Sequence, residues 1–357
     1  HLAPSKLKLF NGRLANADYR ANIVADIAGN DLSHATGVVS VSRFNMLSPT
    51  GSYSLDSLRL RAGATPKGHY VMMSSDFGTG LLYGPFAYRS LTQLVENAIV
   101  KKMPGIVHLV PFRYRPVSGG RFSLAAEIHK SDWLRNFFNI PIQFSDTLHL
   151  KASVNAQGNT IDCELQAPKL FYGHRELRNV SALVETIDGR LHANASLRNM
   201  ATERRGTDLQ LDMWAGDNQL QTVLHFDNHA STQRLYGQLR SHVSFDETAD
   251  GKANAVLGLQ RSQFHVGDTV FEIRPSTLTY SKKHLAIDNF YVGSDNQSIC
   301  LDGVVSTSPN DSITASLQHV NLPYILNLLN FHSVDFGGEA SGFAHIKQIF
   351  DKPSLNS

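Results

Sequence analysis

The sequence predicts an all-β chain, a long antiparallel meander interrupted by three short helices. Three observations carry this. Apolar residues alternate with polar ones over long stretches. Ile299, Leu301, Gly303 and Val305 share one side against Cys300, Asp302 and Val304, and Ile313, Ala315, Leu317 and His319 repeat this against Thr314, Ser316 and Gln318. A period of two marks strands with one apolar and one wet wall. Turn signals recur at the spacing of a continuous meander, consistent with about 15 to 20 strands. Helical spacing is confined to Ser90–Lys102, Asp132–Asn139 and Leu322–Asn330.

In chain order, Ala21–Ala28, Ala35–Val41, Leu55–Leu60, His69–Met73 and Leu81–Tyr88 are strand candidates of ragged pattern. Asn30-Asp31, Ser48-Pro49-Thr50-Gly51 and Thr65-Pro66-Lys67-Gly68 turn them. Ser90 is placed to cap the first helix, with Leu91, Leu94, Val95, Ala98 and Ile99 on its apolar side, and Met103-Pro104-Gly105 stops it. Alternation is clean from Phe122, Leu124, Ala126 and Ile128 onward. The second helix sets Trp133, Leu134, Phe137 and Phe138 on one side before Ile140-Pro141. After Ile161–Ala167 and Val180–Ile187, Asp188-Gly189 is a hairpin signal, because a type I′ turn needs positive φ at both central residues. Gly216-Asp217-Asn218, Asp250-Gly251 and Gly267-Asp268 mark later turns. The pattern divides into 1–120, with its helix near 90–102; 121–320, a continuous β region with the helix 132–139; and 321–357, a short helix and the start of another β segment.

The chain has 357 residues, room for two or three domains or one elongated all-β body. Charged residues are 18%, against about 25% in ordinary globular chains. Polarity comes instead from Ser, Thr, Asn, Gln and 16 His, a composition suited to an exported protein. A net charge of +2 with only isolated basic pairs argues against a nucleic-acid partner. Cys163 and Cys300 lie too far apart in sequence for a zinc cluster or a disulfide scaffold. Cys163 shares a side with Ile161 and Leu165 as a packed thiol. No run approaches the roughly 20 apolar residues of a membrane span. His1-Leu2-Ala3-Pro4 does not read as a natural start, and the expectation is a fragment whose anchor and export signal lie outside it.

A sheet of such strands has one apolar wall to cover. Its candidate lining begins with Leu148, Leu150, Val154, Leu191, Leu197, Leu209 and Leu211. Leu224, Phe226, Leu239, Val243, Leu257 and Leu259 continue it, then Leu301, Val305, Ile313 and Leu317. Each such side chain is worth roughly 1.5–3 kcal/mol when fully removed from water. A second sheet, closure into a β-helix or barrel, or an open trough holding apolar ligand would each answer the need. Small inward residues, Ala193, Ala195, Ala255, Gly303 and Ala344 among them, leave room for a chain-like ligand and equally permit tight sheet-on-sheet approach. Each short helix is too short to stand alone and must lie on the sheet. Trp133, Phe137 and Phe138 anchor one, and Ile325 and Leu329 the other.

At Ala315–Ser354 the chain resembles the TamB family of the AsmA-like superfamily. The carrying residues are Ser316-Leu317-Gln318-His319-Val320-Asn321-Leu322-Pro323-Tyr324-Ile325-Leu326, then Phe336-Gly337-Gly338-Glu339-Ala340-Ser341-Gly342-Phe343-Ala344, then Lys352-Pro353-Ser354-Leu355. In order they match a strand, an entry into a short helix, a glycine turn into the next strand and a restart. Gln297–Gly303 fits the preceding strand, and the specific likeness covers roughly the last quarter of the chain. The resemblance implies an open U-shaped groove, a β-taco, in the periplasmic part of an inner-membrane-anchored protein. It implies phospholipid acyl chains as ligand, outer-membrane biogenesis as the role, and an outer-membrane TamA-like barrel as partner through regions outside this sequence.

No constellation points to catalysis, a cofactor or a metal. His225, Asp227 and His229 share one side of a strand, yet Asp227-Asn228-His229-Ala230-Ser231 reads as a turn. Carboxylate pairs such as Glu164 with Glu185 read as outer-face charges. The alternatives to a lipid module are a chaperone or scaffold for outer-membrane proteins acting through sheet edges, and an exported carbohydrate-binding β protein.

Overall fold

Alternation becomes strand almost everywhere it occurs. The computed structural model describes residues 18–29, 35–48, 51–108, 114–117, 120–138, 140–232, 234–247, 253–321, 338–347, 350 and 354–356. Among them the chain is mostly β, with 23 strands and two α-helices. Contacts cluster into two units, His1–Lys101 with Arg113–Gln210, and Lys102–Phe112 with Leu211–Ser357. This division follows contact density and differs from the pattern segments 1–120, 121–320 and 321–357.

The first unit holds β1 (Asp18–Ala28), β2 (Thr36–Ser48), β3 (Gly51–Thr65), β4 (Gly68–Ser75), β5 (Gly78–Gly84) and β6 (Arg121–Ile128). It continues with β7 (Ile142–Phe144), β8 (Leu148–Asn155), β9 (Thr160–Tyr172), β10 (Arg175–Ile187) and β11 (Arg190–Met200). The strands pair antiparallel in chain order, except that β8 follows β6 in the sheet. β7 and β8 share β9 as partner. They are one strand line interrupted where the Asp146 carboxylate takes the Thr147 amide at 2.7 Å.

β12 (Gly206–Gly216) straddles the division. The second unit then holds β13 (Gln219–Asp227), β14 (Leu235–Glu247), β15 (Ala253–Leu259), β16 (Ser262–Val266), β17 (Thr269–Ile273) and β18 (Ser276–Ser281). β19 (His284–Gly293), β20 (Ser298–Val305), β21 (Ile313–Asn321), β22 (Glu339–Lys347) and β23 (Ser354–Asn356) complete it. β15 and β16 both pair with β14. At the break between them the buried Ser262 hydroxyl accepts the Arg240 amide at 3.0 Å and donates to the Gln260 carbonyl at 2.9 Å, replacing ladder bonds. β17 and β18 both pair with β19, separated at Pro275, which has no amide to offer a ladder. Such breaks raise the strand number above the pattern estimate.

The Asp188-Gly189 turn forms as expected, with φ of 49° and 77° and Ile187 opposite Arg190. The helices need correction. Helix α1 spans Leu91–Lys102, and the expected cap, Ser90, instead closes a 3-10 turn, Tyr88–Ser90, donating to the Ala87 carbonyl at 2.8 Å. Helix α2 spans Asp132–Phe138. The third expected helix, Leu322–Asn330, with its anchors Ile325 and Leu329, lies outside the described residues, as do the side chains of Phe137 and Phe138. Trp133 does pin α2: its ring lies 5.3 Å from that of Phe77, and its Nε1 donates to Lys130 at 2.9 Å.

The buried core is small and local. One cluster is Leu148, Ala167 and Leu170 with Ile128, Phe144, Leu150 and Leu165 against it; another is Ile287, Val305 and Ile313 with Leu278, Leu285 and Leu301 against it. Elsewhere the ladders themselves hold the chain. Gly84 shows how close they run. Its φ is 147°, and a Cβ there would meet the Arg121 carbonyl oxygen at 2.4 Å and Phe122 Cα at 2.9 Å, both backbone. Gly84→Ala is therefore expected to cost at least about 1–3 kcal/mol and to lower the urea midpoint of the first unit. An unchanged midpoint would contradict this β5–β6 approach.

Candidate functional site

Directly opposed residues in antiparallel ladders lie on the same face, so a face can be followed from strand to strand. In the first unit one row runs Ala25, Val39, Leu60, Met73, Gly80, then Ala126, Leu150, Leu165, Ala182 and Ala195. The row beside it runs Ile27, Gly37, Ala62, Val71, Leu82, then Leu124, Ala152, Cys163, Val184 and Ala193. Neither row contains a side-chain nitrogen or oxygen. Nine steps of about 4.8 Å carry each across roughly 43 Å of sheet. The adjacent row on the other face is polar: Ser40, Arg59, Ser74, Thr79, Glu127, His149, Gln166 and Ser181.

Exposure separates the middle of this wall from its ends. Among the paired rows, Val39, Leu60, Met73, Leu82, Leu124, Leu150 and Leu165 are all half-buried. The inner face of a two-sheet sandwich is buried throughout; these rows are not. The strand ends are shut. At one end Leu148, Ala167 and Leu170 are buried, and the Phe144 amide donates to Ser131, just ahead of α2, at 2.8 Å. Burial, with the Asp76 and Asp132 carboxylates nearby, pushes the Tyr53 phenol up to about 12. At the other end Phe122, Val154 and Ile161 are buried, and α1 contributes Leu94, 0% exposed.

The second unit repeats the plan. Its row runs Leu220, Val243, Leu257, Leu278, Ile287, Gly303, Ile313 and Ile346. Beside it lie Phe290, Leu301, Ala315 and Ala344, then Val292, Ile299, Leu317 and Gly342. Toward β16 the same face becomes aromatic: Phe226, Gly237, Phe264 and Phe271 are in register, with Phe264 and Phe271 stacked at 5.1 Å.

Seven of the seventeen expected lining residues, Leu150, Phe226, Val243, Leu257, Leu301, Ile313 and Leu317, fall in these rows. Leu224 opposes Leu239, Leu259 extends β15 beyond Leu257, and Val305 opposes Leu285. Leu191 and Leu197 continue the alternation of Ala193 and Ala195, and Leu209 and Leu211 alternate on β12. Five of them, Leu148, Val154, Leu191, Val305 and Ile313, are buried; the other twelve are half-buried. The expected lining includes no residue of the first strands, although Ala21–Ala28, Ala35–Val41 and Leu55–Leu60 are expected as strands. Val39, Val41 and Leu60 belong to the same face as Leu150. At Arg43, φ 52°, the apolar positions of β2 switch from Val39 and Val41 to Phe44 and Met46, which breaks strict alternation and ends the expected strand at Val41, seven residues short of Ser48.

Among the described residues no three His, Cys, Asp or Glu side chains are grouped to hold a metal ion, and no helix is long and apolar enough to cross a membrane. Asp227 closes the loop between β13 and β14 instead. Its carboxylate accepts Arg234 Nε at 3.0 Å and Arg234 Nη2, and takes the His229 amide at 2.8 Å. Glu164 lies 3.9 Å from Lys151, and Glu185 opposes His192. Cys163 and Cys300 are both free thiols. Burial pushes the Cys163 thiol up; Cys300 lies on the other face, opposite Tyr291 and Ser316. No protein-family model, curated protein or solved structure matches this chain.

The Arg234 bond and the His229 contacts hold the Asp227 carboxyl at about 2, below its ordinary 3.8. A lowered carboxyl pKa contributes stability that is present above the ordinary value and disappears as pH falls toward 2. The protection factor of the Leu235 amide, which donates to Asn228 Oδ1 at 2.9 Å, is expected to fall over that window once the intrinsic pH dependence of exchange is divided out. Asp227→Asn should show lower protection at neutral pH and no further loss of protection as pH falls from about 4 to about 2. A variant with unchanged exchange would contradict the brace.

Proposed function

We propose that the apolar face of this chain binds phospholipid acyl chains and lets them pass across successive strands. On this reading it is a non-enzymatic, TamB-like periplasmic module of an inner-membrane-anchored protein, serving outer-membrane biogenesis with a TamA-like barrel as partner. The observation that carries the reading is the ten-strand row from Ala25 to Ala195, apolar throughout and only half-buried from Val39 onward. Contiguous exposed apolar surface of this extent is rare in soluble proteins unless it binds something. Each methylene laid on such a wall gains about 0.8 kcal/mol, so a dozen offset the ordering of one acyl chain. On this reading the chains lie along the half-buried middle of the rows, between buried residues at the strand ends. The likeness of Ala315–Ser354 to the TamB pattern supports the same reading from the sequence side.

One observation favours a second reading, strand addition to unfolded outer-membrane proteins. Among the described residues β1 pairs with β2 alone, and Ile23, Val24 and Ile27 on it are 55%, 70% and 58% exposed.

Native mass spectrometry of the purified chain, with lipid extraction, separates the two. Bound phospholipid is expected in the wild type. Leu150→Asp and Leu257→Asp, which charge the middle rows, should lower it at least about tenfold, the effect of an uncompensated charge on an apolar wall. Thr79→Asp on the polar face should leave it unchanged. Absence of lipid, or folded Leu150→Asp and Leu257→Asp proteins that carry it normally, would refute the proposal.

A further inference from the structure

Strand β1 pairs only with β2 among the described residues, and all of its eleven residues except Tyr19 are exposed. It carries no proline, no lysine and no charge on its apolar side, the features that commonly keep a strand edge from pairing. Its alternation is unbroken. The register shift between Arg20 and Asn22 places its extra residue on β2, at Arg43. Tyr19, Ala21, Ile23, Ala25 and Ile27 therefore belong to the apolar face, and Arg20, Asn22, Val24 and Asp26 to the other. Arg20 and Asp26 are exposed, and neither has a side-chain hydrogen bond or ion pair among the described residues.

The strand is complementary to itself. Directly opposed residues of an antiparallel pair share a face, so two copies of β1 continue one apolar face only where odd positions oppose odd and even oppose even. Centring such a pair on Asn22 sets Asp18 against Asp26. Centring it on Val24 leaves Arg20 against Ala28 and Asn22 against Asp26. Centring it on Ile23, the midpoint of the strand, pairs all eleven residues and sets Arg20 of each copy against Asp26 of the other. The same register opposes Tyr19 to Ile27, Ala21 to Ala25 and Ile23 to Ile23. Opposite-charge pairs and aromatic with β-branched pairs each contribute about 0.2–1 kcal/mol across strands, whereas like charges destabilise. One register thus satisfies both faces at once.

We propose that β1 seats a second copy of this chain, paired antiparallel about a two-fold axis at Ile23. The contact is isologous and closes at two copies. It carries the apolar face across the axis: Leu58, Val41 and Ile23 of one copy run into Ile23, Val41 and Leu58 of the other. A face that stops at a strand edge in the single chain becomes continuous through the pair, and the two Arg20–Asp26 pairs on the opposite face hold the register. The pairing stands on the edge alone and does not require that the face carry lipid.

Sedimentation velocity of the purified chain tests this, from about 1 to about 100 µM to match an interface of one strand. The wild type should pass from monomer to dimer over that range, with no larger species. Asp26→Arg and Arg20→Asp each set like charges opposite one another at both pairs, and each should weaken the dimer at least about tenfold. Both positions are exposed, so circular dichroism should match the wild type. Mixed in equal amounts, the two variants should form a heterodimer as tight as the wild-type dimer, because every arginine then faces an aspartate again. A wild type that stays monomeric at about 100 µM overturns the proposal. So does a dimer indifferent to either substitution, or a mixture that restores no association, since the charges would then not oppose one another. A monomer that instead takes up a synthetic outer-membrane strand peptide along β1 overturns self-pairing in favour of strand addition.

Discussion

The structure depends on a sheet face whose rows are apolar from strand to strand and, among the described residues, only half-buried in their middle. Val39, Leu60, Met73, Leu150 and Leu165 stand in one row across the strands and remain only half-buried. A wall in this state forgoes part of the burial energy a sandwich would collect. Long ladders and the closed strand ends make up the difference. Val305 and Leu94, both 0% exposed, belong to such local seals and not to a central core. Small clusters at intervals along continuous backbone pairing leave the surface between them accessible.

Interruptions keep that sheet workable. Asn179 and Asn289, with φ of 51° and 52°, sit at register shifts in β10 and β19. Bulges of this kind bend a strand and raise its twist while both flanks remain paired. Ser262 and Pro275 end one strand and begin another against a common partner. Between them these devices let strands of 11 to 13 residues, such as β9, β10 and β11, pair over nearly their whole length.

Much of this was readable from residue order, for physical reasons that also mark its limit. Ile313, Ala315 and Leu317 alternate because a pleat has period two, and Asp188-Gly189 turns because both residues tolerate positive φ. The same rule stopped short where a bulge shifted phase: the expected strand Ala35–Val41 ends before Arg43, whereas β2 runs on to Ser48, and Val39 shares its wall with Leu150 although it is absent from the expected lining. Ser90 was legible as a helix boundary but not as the end of a 3-10 turn, because its bond to Ala87 depends on how the chain enters from β5. The packing of α1 against residues 114–117 left no signal at all. Asn97 and Arg115 stand 18 residues apart, and only their side-chain-to-backbone bonds reveal that the two segments form one wall.

Photolabelling with a phospholipid carrying a diazirine in its acyl chain, followed by peptide mapping of the adducts, tests most directly whether that wall meets lipid. The account predicts adducts on Leu60, Val71, Leu82, Leu124, Leu150 and Leu165, and none on Arg59, Thr79, His149 or Gln166 on the opposite face. Adducts spread over both faces, or confined to β1, would contradict it.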